Sequence, residues 1–194
     1  PVQTMSDSSQ ACEDMMLQRS VQFVMCYGHP QVPGRLDEGL YPVLELGKEL
    51  LLPVCVANGQ GQPLYSLGSK DKLPVMAYTE ASGLGRIMKQ QLKGVFSAPS
   101  GTPQIPGASV VFTAHNALLL KTMALKGKGV AWLPARLVNE ELKTGELVDA
   151  GQGRWQIPID IRLYRQRTEM ARVAETLWQV ASLAAKPPDL EHQL

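Results

Sequence analysis

Short apolar runs alternate along the chain with segments of helical periodicity. The run at Val21–Tyr27 is almost continuously apolar, which is expected of a strand buried on both faces. Turn residues separate most of the other runs. The predicted strands, after a short extended piece at Val2–Met5, are Val21–Tyr27, Tyr41–Leu46, Glu49–Ala57, Pro74–Thr79, Val110–Phe112, Val130–Leu133, Leu147–Ala150 and Ile157–Tyr164.

The predicted helices lie between these strands and carry capping residues. Asp7 or Ser8 can cap the first helix, and Gly127 can end the third. The last helix is amphipathic, because Val173, Leu177, Val180 and Leu183 recur at helical spacing. The predicted helices run to about Gln18 from the first cap, at Leu84–Leu92, at Asn116–Lys126, from Pro134 to about Leu142, and at Met170–Ala184. Strands joined by such helices predict βαβ units, a parallel-type sheet covered on both faces and an α/β fold.

Composition excludes several broad classes of protein. Of the 194 residues, 44% are hydrophobic and 19% charged, which is typical of a globular chain rather than a disordered one. The net charge is +1, and neither half is strongly basic, so we expect no direct binding to nucleic acid. The longest apolar run, Leu50–Ala57, is far shorter than the about 20 residues of a membrane span. No secretion signal opens the sequence, and we expect no membrane partner.

Cysteine and histidine usage predicts neither a disulfide framework nor a metal site. Cys12, Cys26 and Cys55 are odd in number and lack CxxC spacing, which fits small buried thiols in a reducing cytoplasm. The three histidines are not at the spacing of helical metal ligands. No signature of a catalytic nucleophile is present either, so the sequence predicts no enzyme, no cofactor and no metal.

A strand–turn–helix junction at Tyr78–Arg86 is the first candidate ligand site. Backbone N–H groups and hydroxyls meet at such a helix start and favour a carboxylate or phosphate, with Thr79, Ser82 and Gly83 as contacts. The alternative is a plain turn capped by Ser82. Met88 replaces the third glycine of a GxGxxG motif, which disfavours dinucleotide binding.

Two further segments add candidate contacts. Thr113, His115 and Asn116 precede the next helix, where His115 could donate to an anion. A plain helix cap by Asn116 beside an exposed His115 is the open alternative. Tyr27 and His29 follow the first buried strand and could contact the same ligand.

Several of these segments resemble the effector-binding domain of LysR-type transcriptional regulators. The residues between Asp7 and Met25 are similar to that domain's second strand, helix and third strand. Gly127–Pro134 (GKGVAWLP) is similar to its GxGIxxLP segment and is the most specific match. Gly145–Val148, Ile157–Arg165 and a last helix containing Trp178 complete the order.

This resemblance implies a fold like that of type II periplasmic binding proteins, with two Rossmann-like α/β lobes joined by two crossover strands. The chain would cross near Pro53–Val56 and return near Leu163–Arg165. Lobe I would then comprise residues 1–54 and 166–185, lobe II residues 55–165, and residues 186–194 a tail. Since Pro1–Thr4 aligns with the family's second strand, the first strand and helix of lobe I and the helix-turn-helix domain are expected to be absent.

The resemblance also implies a function. The chain would sense a small, anionic effector between its lobes, form a homodimer or tetramer in the cytoplasm, and control DNA binding through a separate helix-turn-helix domain. One alternative is a solute-binding protein of a transporter. Another is a redox sensor, because Leu52–Cys55 and Ala131–Pro134 resemble the hypochlorite-responsive subgroup and eight methionines permit oxidation, although methionine is also ordinary core filler.

Overall fold

The computed structural model describes residues 2–36, 39–69, 72–93, 105 and 107–185. Helices and strands alternate through most of this part of the chain, which confirms the α/β class. The strands are β1 (Phe23–Gly28), β2 (Val43–Val56), β3 (Leu73–Tyr78), β4 (Ala108–Ala114), β5 (Val130–Pro134), β6 (Leu147–Asp149) and β7 (Ile157–Arg165). The helices are α1 (Ser9–Leu17), α2 (Gly83–Gln91), α3 (Ala117–Leu125), α4 (Asn139–Thr144) and α5 (Arg172–Ala185), with a 3-10 helix at Ala135–Val138.

The chain forms two compact units. Unit 1 consists of the described residues of Pro1–Lys48 and Asp160–Leu194, and unit 2 is Glu49–Ile159. The chain therefore passes from one unit to the other within β2 and returns within β7. The lobe boundaries expected from the resemblance lie six residues later on each of these strands.

Unit 1 is built on an antiparallel strand pair with a helix on one face. β1 pairs with β7 in a register that places Phe23 opposite Arg165 and Gly28 opposite Asp160. Of the two caps that the sequence offered, Asp7 and Ser8, it is Ser8 that caps α1, by accepting a hydrogen bond from Ala11 N. The covered face of the pair contributes Val24 and Tyr164 to a core that also contains Met16, Leu36 and Tyr41.

The opposite face of β1 is only partly covered. Phe23 stacks on Trp178 of α5 with a ring separation of 6.4 Å, but Met25, two residues further along the same face, is 69% exposed. The prediction of a strand buried on both faces is wrong at this position. An apolar sequence of this kind indicates that the segment forms a strand. Whether each face of the strand is buried depends on which elements pack over it.

The large aliphatic side chains of α5 lie on its solvent-facing side. Ala174 is buried and Trp178 packs on Phe23, so these residues anchor the helix to unit 1. The residues that define the predicted amphipathic stripe are largely exposed, which corrects the expectation that they face a core. They are Val173 (80% exposed), Leu177 (50%), Val180 (58%) and Leu183 (72%).

Unit 2 contains a mixed sheet rather than the parallel-type sheet predicted from the sequence. Its strand order is β2-β5-β3-β4, and β6 pairs with the end of β2. β3 is parallel to β4 and β5, because α2 and α3 supply the crossovers, but β2 is antiparallel to β5 and β6. The described residues between β2 and β3 contain no helix, so nothing imposes a parallel crossover there.

Trp132 lies in the core of unit 2. This side chain is 0% exposed, and its Nε1 donates to the carbonyl oxygen of Trp155 at 2.8 Å. Trp132 is therefore a core residue and is not open to a ligand. It shares the interior with other fully buried side chains, among them Leu51, Val54, Leu67, Met76, Leu120, Leu133 and Leu147.

Several predicted boundaries differ from the structure. The two predicted strands Tyr41–Leu46 and Glu49–Ala57 merge into one continuous strand, β2 (Val43–Val56), and Val2–Met5 belongs to no strand. Proline, glycine and serine are frequent in residues 97–108 and indicate a loop, but residues 97–104 and 106 lie outside the described residues, as does the tail from residue 186. In the described part of the chain, no helix is long and apolar enough to cross a membrane.

Candidate functional site

Two helices of unit 2 begin where adjacent parallel strands end. β3 ends at Tyr78 directly beside Ala114, the last residue of β4, and the next amide, Thr79 N, donates to Ala114 O at 3.0 Å. α2 and α3, each of nine residues, start within a few residues of these strand ends. The carboxyl edge of a parallel sheet is where α/β folds place their ligands, because backbone N–H groups and helix dipoles converge there.

The start of α2 is formed by a short turn from Thr79 to Ser82. Ser82 N donates to Thr79 O at 3.1 Å, and Ser82 Oγ caps the helix by accepting from Gly85 N at 3.4 Å. Ser82 is 5% exposed, and Gly83 is buried as the first helical residue. The capping alternative for Ser82 is therefore realised, and its hydroxyl hydrogen is still able to donate to a ligand.

The side-chain hydroxyl of Thr79 is the feature of this turn that most directly indicates ligand binding. Its Oγ1 is buried and, among the described residues, makes no hydrogen bond. A buried hydroxyl without a partner costs about 1–3 kcal/mol, so such groups are rare unless a ligand or water satisfies them. Thr79 Oγ1 is thus suited to bind a polar ligand atom at the start of α2.

The start of α3 is more open. Asn116 Oδ1 caps the helix by accepting from Leu118 N at 2.7 Å, so the helix-cap alternative holds for Asn116. Thr113 and His115 are both exposed, and they lie on the segment next to the α2 turn through the Thr79–Ala114 contact. The sequence candidates of unit 2 are accordingly brought to one edge of the sheet.

Two residues that the sequence did not single out hold this edge in place. Gly85 lies so close to the preceding turn that an added Cβ would come within 2.4 Å of Thr79 O and 3.0 Å of Tyr78 Cβ. The Tyr78 hydroxyl donates to Trp132 O at 2.9 Å and joins β3 to β5. The Gly83-Leu84-Gly85 spacing was a signal for close approach, but the tyrosine bond links residues 54 positions apart and has no local signal.

The charge at this edge is balanced nearby. Glu80 follows Thr79 and forms an exposed ion pair with Lys89, with Oε1 and Nζ 2.8 Å apart. The hydrogen bond from Lys89 lowers the pKa of Glu80 and keeps it ionised. Because Lys89 compensates this carboxylate, the positive end of the α2 dipole favours an anion here.

The candidates of unit 1 lie in a separate polar turn. His29 is 8% exposed, and its Nδ1 accepts a hydrogen bond from Gln31 N at 3.1 Å. Burial lowers the pKa of His29, and the nearby pair of Asp160 and Arg162 acts on it in opposite directions. Tyr27 precedes this turn on β1 and is half-buried. A ligand contact by Tyr27 or His29 stays a prediction.

No group of three or more possible metal ligands occurs among the residues that the structure describes. The three cysteines are free thiols. Burial raises the pKa of Cys55 and of Cys12, which keeps both thiols protonated and weakly nucleophilic near neutral pH.

Comparison with known proteins shows the class to which this fold and site belong. Residues 1–184 match the family described as LysR substrate binding domain. The chain belongs to this family and is an effector-binding domain of a LysR-type regulator.

Individual relatives are regulators of the same kind. The chain is 31% identical over 144 residues to the HTH-type transcriptional regulator YjiE of Escherichia coli K12, covering 74% of this chain and 45% of YjiE. It has the same identity over 144 residues to the HTH domain-truncated transcriptional regulator QseD of Escherichia coli O157:H7, covering 56% of QseD. The chain thus spans about half the length of the curated relatives it matches.

Solved structures agree with this assignment. The apo regulatory domain of HypT from Salmonella typhimurium superposes with a TM-score of 0.77 at 27% identity, covering 93% of this chain and 81% of that one. Full-length HypT, described as a hypochlorite-specific LysR-type transcriptional regulator, gives a TM-score of 0.76 at 26% identity over 93% of this chain and 57% of that chain. The resemblance read from the sequence is confirmed, and the relatives are transcriptional regulators rather than enzymes.

Proposed function

We propose that this domain binds a small anionic effector at the carboxyl ends of β3 and β4 and thereby controls DNA binding by a helix-turn-helix domain outside the 194 residues. The observation that carries this proposal is the buried, unpartnered Thr79 Oγ1 at the start of α2. A hydroxyl at the positive end of a helix dipole suits a carboxylate or a comparable oxyanion. Ser82, Gly83, Thr113, His115 and Asn116 are the other contacts proposed in unit 2.

The wider role follows from the family. LysR-type regulators act as oligomers, so we propose a homodimer or tetramer in the cytoplasm that passes effector binding on to DNA. A transporter's solute-binding protein is less well supported, because the matched relatives are regulators. The similarity to HypT makes hypochlorite the oxidant with which to test the redox alternative.

The first experiment is thermal melting of the chain against small carboxylates, amino acids, aromatic acids, inorganic anions and hypochlorite. A ligand at about 100 times its Kd stabilises the folded state by about 2.7 kcal/mol. For a protein of this size we expect a rise in Tm of about 5–10 °C with one chemical class. No shift with any anion would contradict the proposal, and a change with hypochlorite alone would favour the redox alternative.

The Thr79→Val variant tests the site itself. Valine keeps the shape of threonine and removes only the hydroxyl, which has no partner among the described residues, so the Tm without ligand should be unchanged or slightly higher. The affinity for the effector found in the melting experiment should fall about 10- to 100-fold, as for loss of one buried hydrogen bond. Isothermal titration calorimetry measures both proteins. Thr144→Val, at the exposed end of α4, is the matched control, and equal affinity of Thr79→Val and wild type would overturn the assignment.

A further inference from the structure

Glu49 of β2 is a buried carboxylate that lacks a hydrogen-bond donor on one of its oxygens. Its side chain is 5% exposed, and Oε1 accepts a hydrogen bond from Leu50 N at 3.0 Å. Oε2 is buried and, in the part of the chain that the structure describes, accepts no hydrogen bond. Arg136 Nε lies 3.3 Å from Oε2 but outside hydrogen-bond geometry, and the Arg136 side chain is 71% exposed. Because burying a carboxylate is costly unless donors surround it, Oε2 is suited to a further, cationic donor.

Glu49 lies at the same edge of the unit 2 sheet as Thr79. β2 is antiparallel to β5, and β5 is parallel to β3. The unit 2 part of β2, which begins at Glu49, therefore starts beside the carboxyl ends of β5 and β3. Since β5 lies between β2 and β3, these two strands are about 10 Å apart. A small molecule at this edge can contact side chains of both strands.

The register of the strands places Glu49 and Thr79 on one face of the sheet. One row of adjacent residues consists of Val54, Ala131 and Met76. Counting three positions along each strand towards the edge gives the row Leu51, Pro134 and Thr79. Residues in one row project to the same face, and so does Glu49, two positions beyond Leu51. Glu49 Oε2 and Thr79 Oγ1, both buried and without a hydrogen bond among the described residues, thus lie on one side of this edge.

We propose that the effector is an amino acid, with its carboxylate bound by Thr79 at the start of α2 and its ammonium group bound by Glu49 Oε2. This inference rests on the proposed function and adds the class of molecule that the site binds. An ammonium group supplies both the N–H donor and the positive charge that suit a buried carboxylate. A carboxylic acid without an amino group would fill the Thr79 side of the site and leave Glu49 Oε2 without a donor.

A metal ion is a less suitable occupant for this position. Divalent cations such as Ca²⁺ and Mg²⁺ are bound by several oxygen ligands. Among the residues that the structure describes, no group of three or more possible metal ligands occurs, and Glu49 is a single carboxylate. One carboxylate is sufficient for an ammonium group that is also held through its own carboxylate at Thr79.

Paired ligands test the class of molecule. The 194-residue chain is first melted with the protein amino acids, β-alanine and 4-aminobutyrate. Isothermal titration calorimetry then compares the best of them with the same acid lacking the amino group, as alanine is compared with propionate. We expect the amino acid to bind about 10- to 100-fold more tightly, which is the effect of one charge-assisted hydrogen bond.

The outcomes of this comparison separate the two proposals. Equal affinity within the pair, or a rise in Tm only with acids that carry no amino group, would overturn the amino-acid inference and leave the anion site standing. No shift with any anion would overturn both.

The Glu49→Gln variant tests the residue. Glutamine keeps the size of the side chain and removes its charge, so the affinity for the amino acid should fall to that of the acid lacking the amino group. The affinity for the latter acid should be unchanged. Thr79→Val, in contrast, should weaken the binding of both members of the pair.

Glu146→Gln is the matched control for this variant. Glu146 is exposed and directly precedes β6, which pairs with the other end of β2, so this variant should keep the wild-type preference for the amino acid. Circular dichroism verifies that all variants are folded. A Glu49→Gln chain that still prefers the amino acid, or a control that loses the preference equally, would contradict the role of Glu49.

Discussion

At the scale of single residues, His29 shows how the fold changes the pKa and the hydrogen bonding of a side chain that the sequence does not single out as buried. Nothing in Tyr27-Gly28-His29 indicates burial of the imidazole, yet it is 8% exposed and accepts a hydrogen bond from Gln31 N. Burial lowers the pKa of His29 in the folded state below its ordinary value of 6.5. The histidine is therefore a neutral acceptor within the turn, and protonation at Nδ1 would break the bond.

This lowered pKa predicts a pH-dependent stability. Below about pH 6.5 the unfolded chain takes up a proton that folded His29 binds less readily, so stability is lost as the pH falls through that range. We expect the Tm to decrease between pH 7.5 and pH 5.5, and to decrease less in His29→Asn, whose side-chain oxygen can accept from Gln31 N without titrating. Scanning calorimetry at both pH values measures this.

The exposed His115 supplies the control for that experiment. His115→Asn should retain the wild-type decrease in Tm, because its side chain is not buried. If His29→Asn and the wild type lost the same amount, groups other than His29 would be responsible for the pH dependence.

At the scale of elements, local sequence determines where helices begin, and tertiary contacts determine how closely they approach. The sequence offered Asp7 or Ser8 as the cap of α1, and Ser82 and Asn116 as alternative caps of α2 and α3. Ser8, Ser82 and Asn116 each accept a hydrogen bond from the helix that they cap. The packing of α2 against the end of β3 depends instead on the absence of a side chain at Gly85. That constraint involves atoms of Tyr78 and Thr79, whose positions follow from the sheet.

Gly85→Ala tests this close approach. The new Cβ would meet the Thr79 carbonyl at 2.4 Å, so α2 or the turn must move. We expect a destabilisation of about 1–3 kcal/mol, which corresponds to a decrease in Tm of about 3–10 °C at this size. Gly47→Ala in β2 is the control, because its Cβ would meet nothing within 4 Å. Equal melting of the two variants in thermal unfolding would contradict the close packing of α2.

At the scale of the whole molecule, each of the two units has its own core and hydrogen bonds. In unit 1, buried Gln166 donates through Nε2 to Met16 O at 2.8 Å and to Val21 O at 2.9 Å, joining the segment after β7 to both ends of the α1–β1 connection. These partners lie 150 and 145 residues away in sequence. No local pattern could have indicated this glutamine.

We expect the Gln166→Ala variant to be destabilised in unit 1 only. The substitution removes one donor from Met16 O, which keeps its bond from Arg19 N, and the side-chain donor from Val21 O, at a cost of about 1–3 kcal/mol. Hydrogen exchange followed by mass spectrometry should show faster exchange in α1 and β1 and unchanged protection in β3 and β5. Exposed Gln179→Ala should alter neither region. Equal loss of protection in β3 and β5 would show that the two units unfold together.

The candidate site was predictable in part, because some of its features depend only on residues that are close together in the sequence. A strand followed by a glycine turn and a helix is a local pattern, and it placed Thr79, Ser82 and Gly83 correctly at the start of α2. The adjacency of Thr113 and His115 required β4 to be the parallel neighbour of β3, which the βαβ pattern predicted. The unsatisfied Thr79 Oγ1 could not be predicted from the sequence. Whether a hydroxyl lacks a hydrogen-bond partner depends on the positions of all the groups around it.

The sequence by itself determined the order and type of most elements, their caps and the family, since backbone propensity, capping and motifs such as GKGVAWLP act over a few residues. The tertiary structure alone decided which faces are covered and which strands run antiparallel. Met25 and the stripe at Val173–Leu183 have the pattern of buried residues, yet they are exposed. Whether a face is buried depends on which elements, often distant along the chain, pack against it. Periodicity shows only that a face is apolar and does not show which element will cover it.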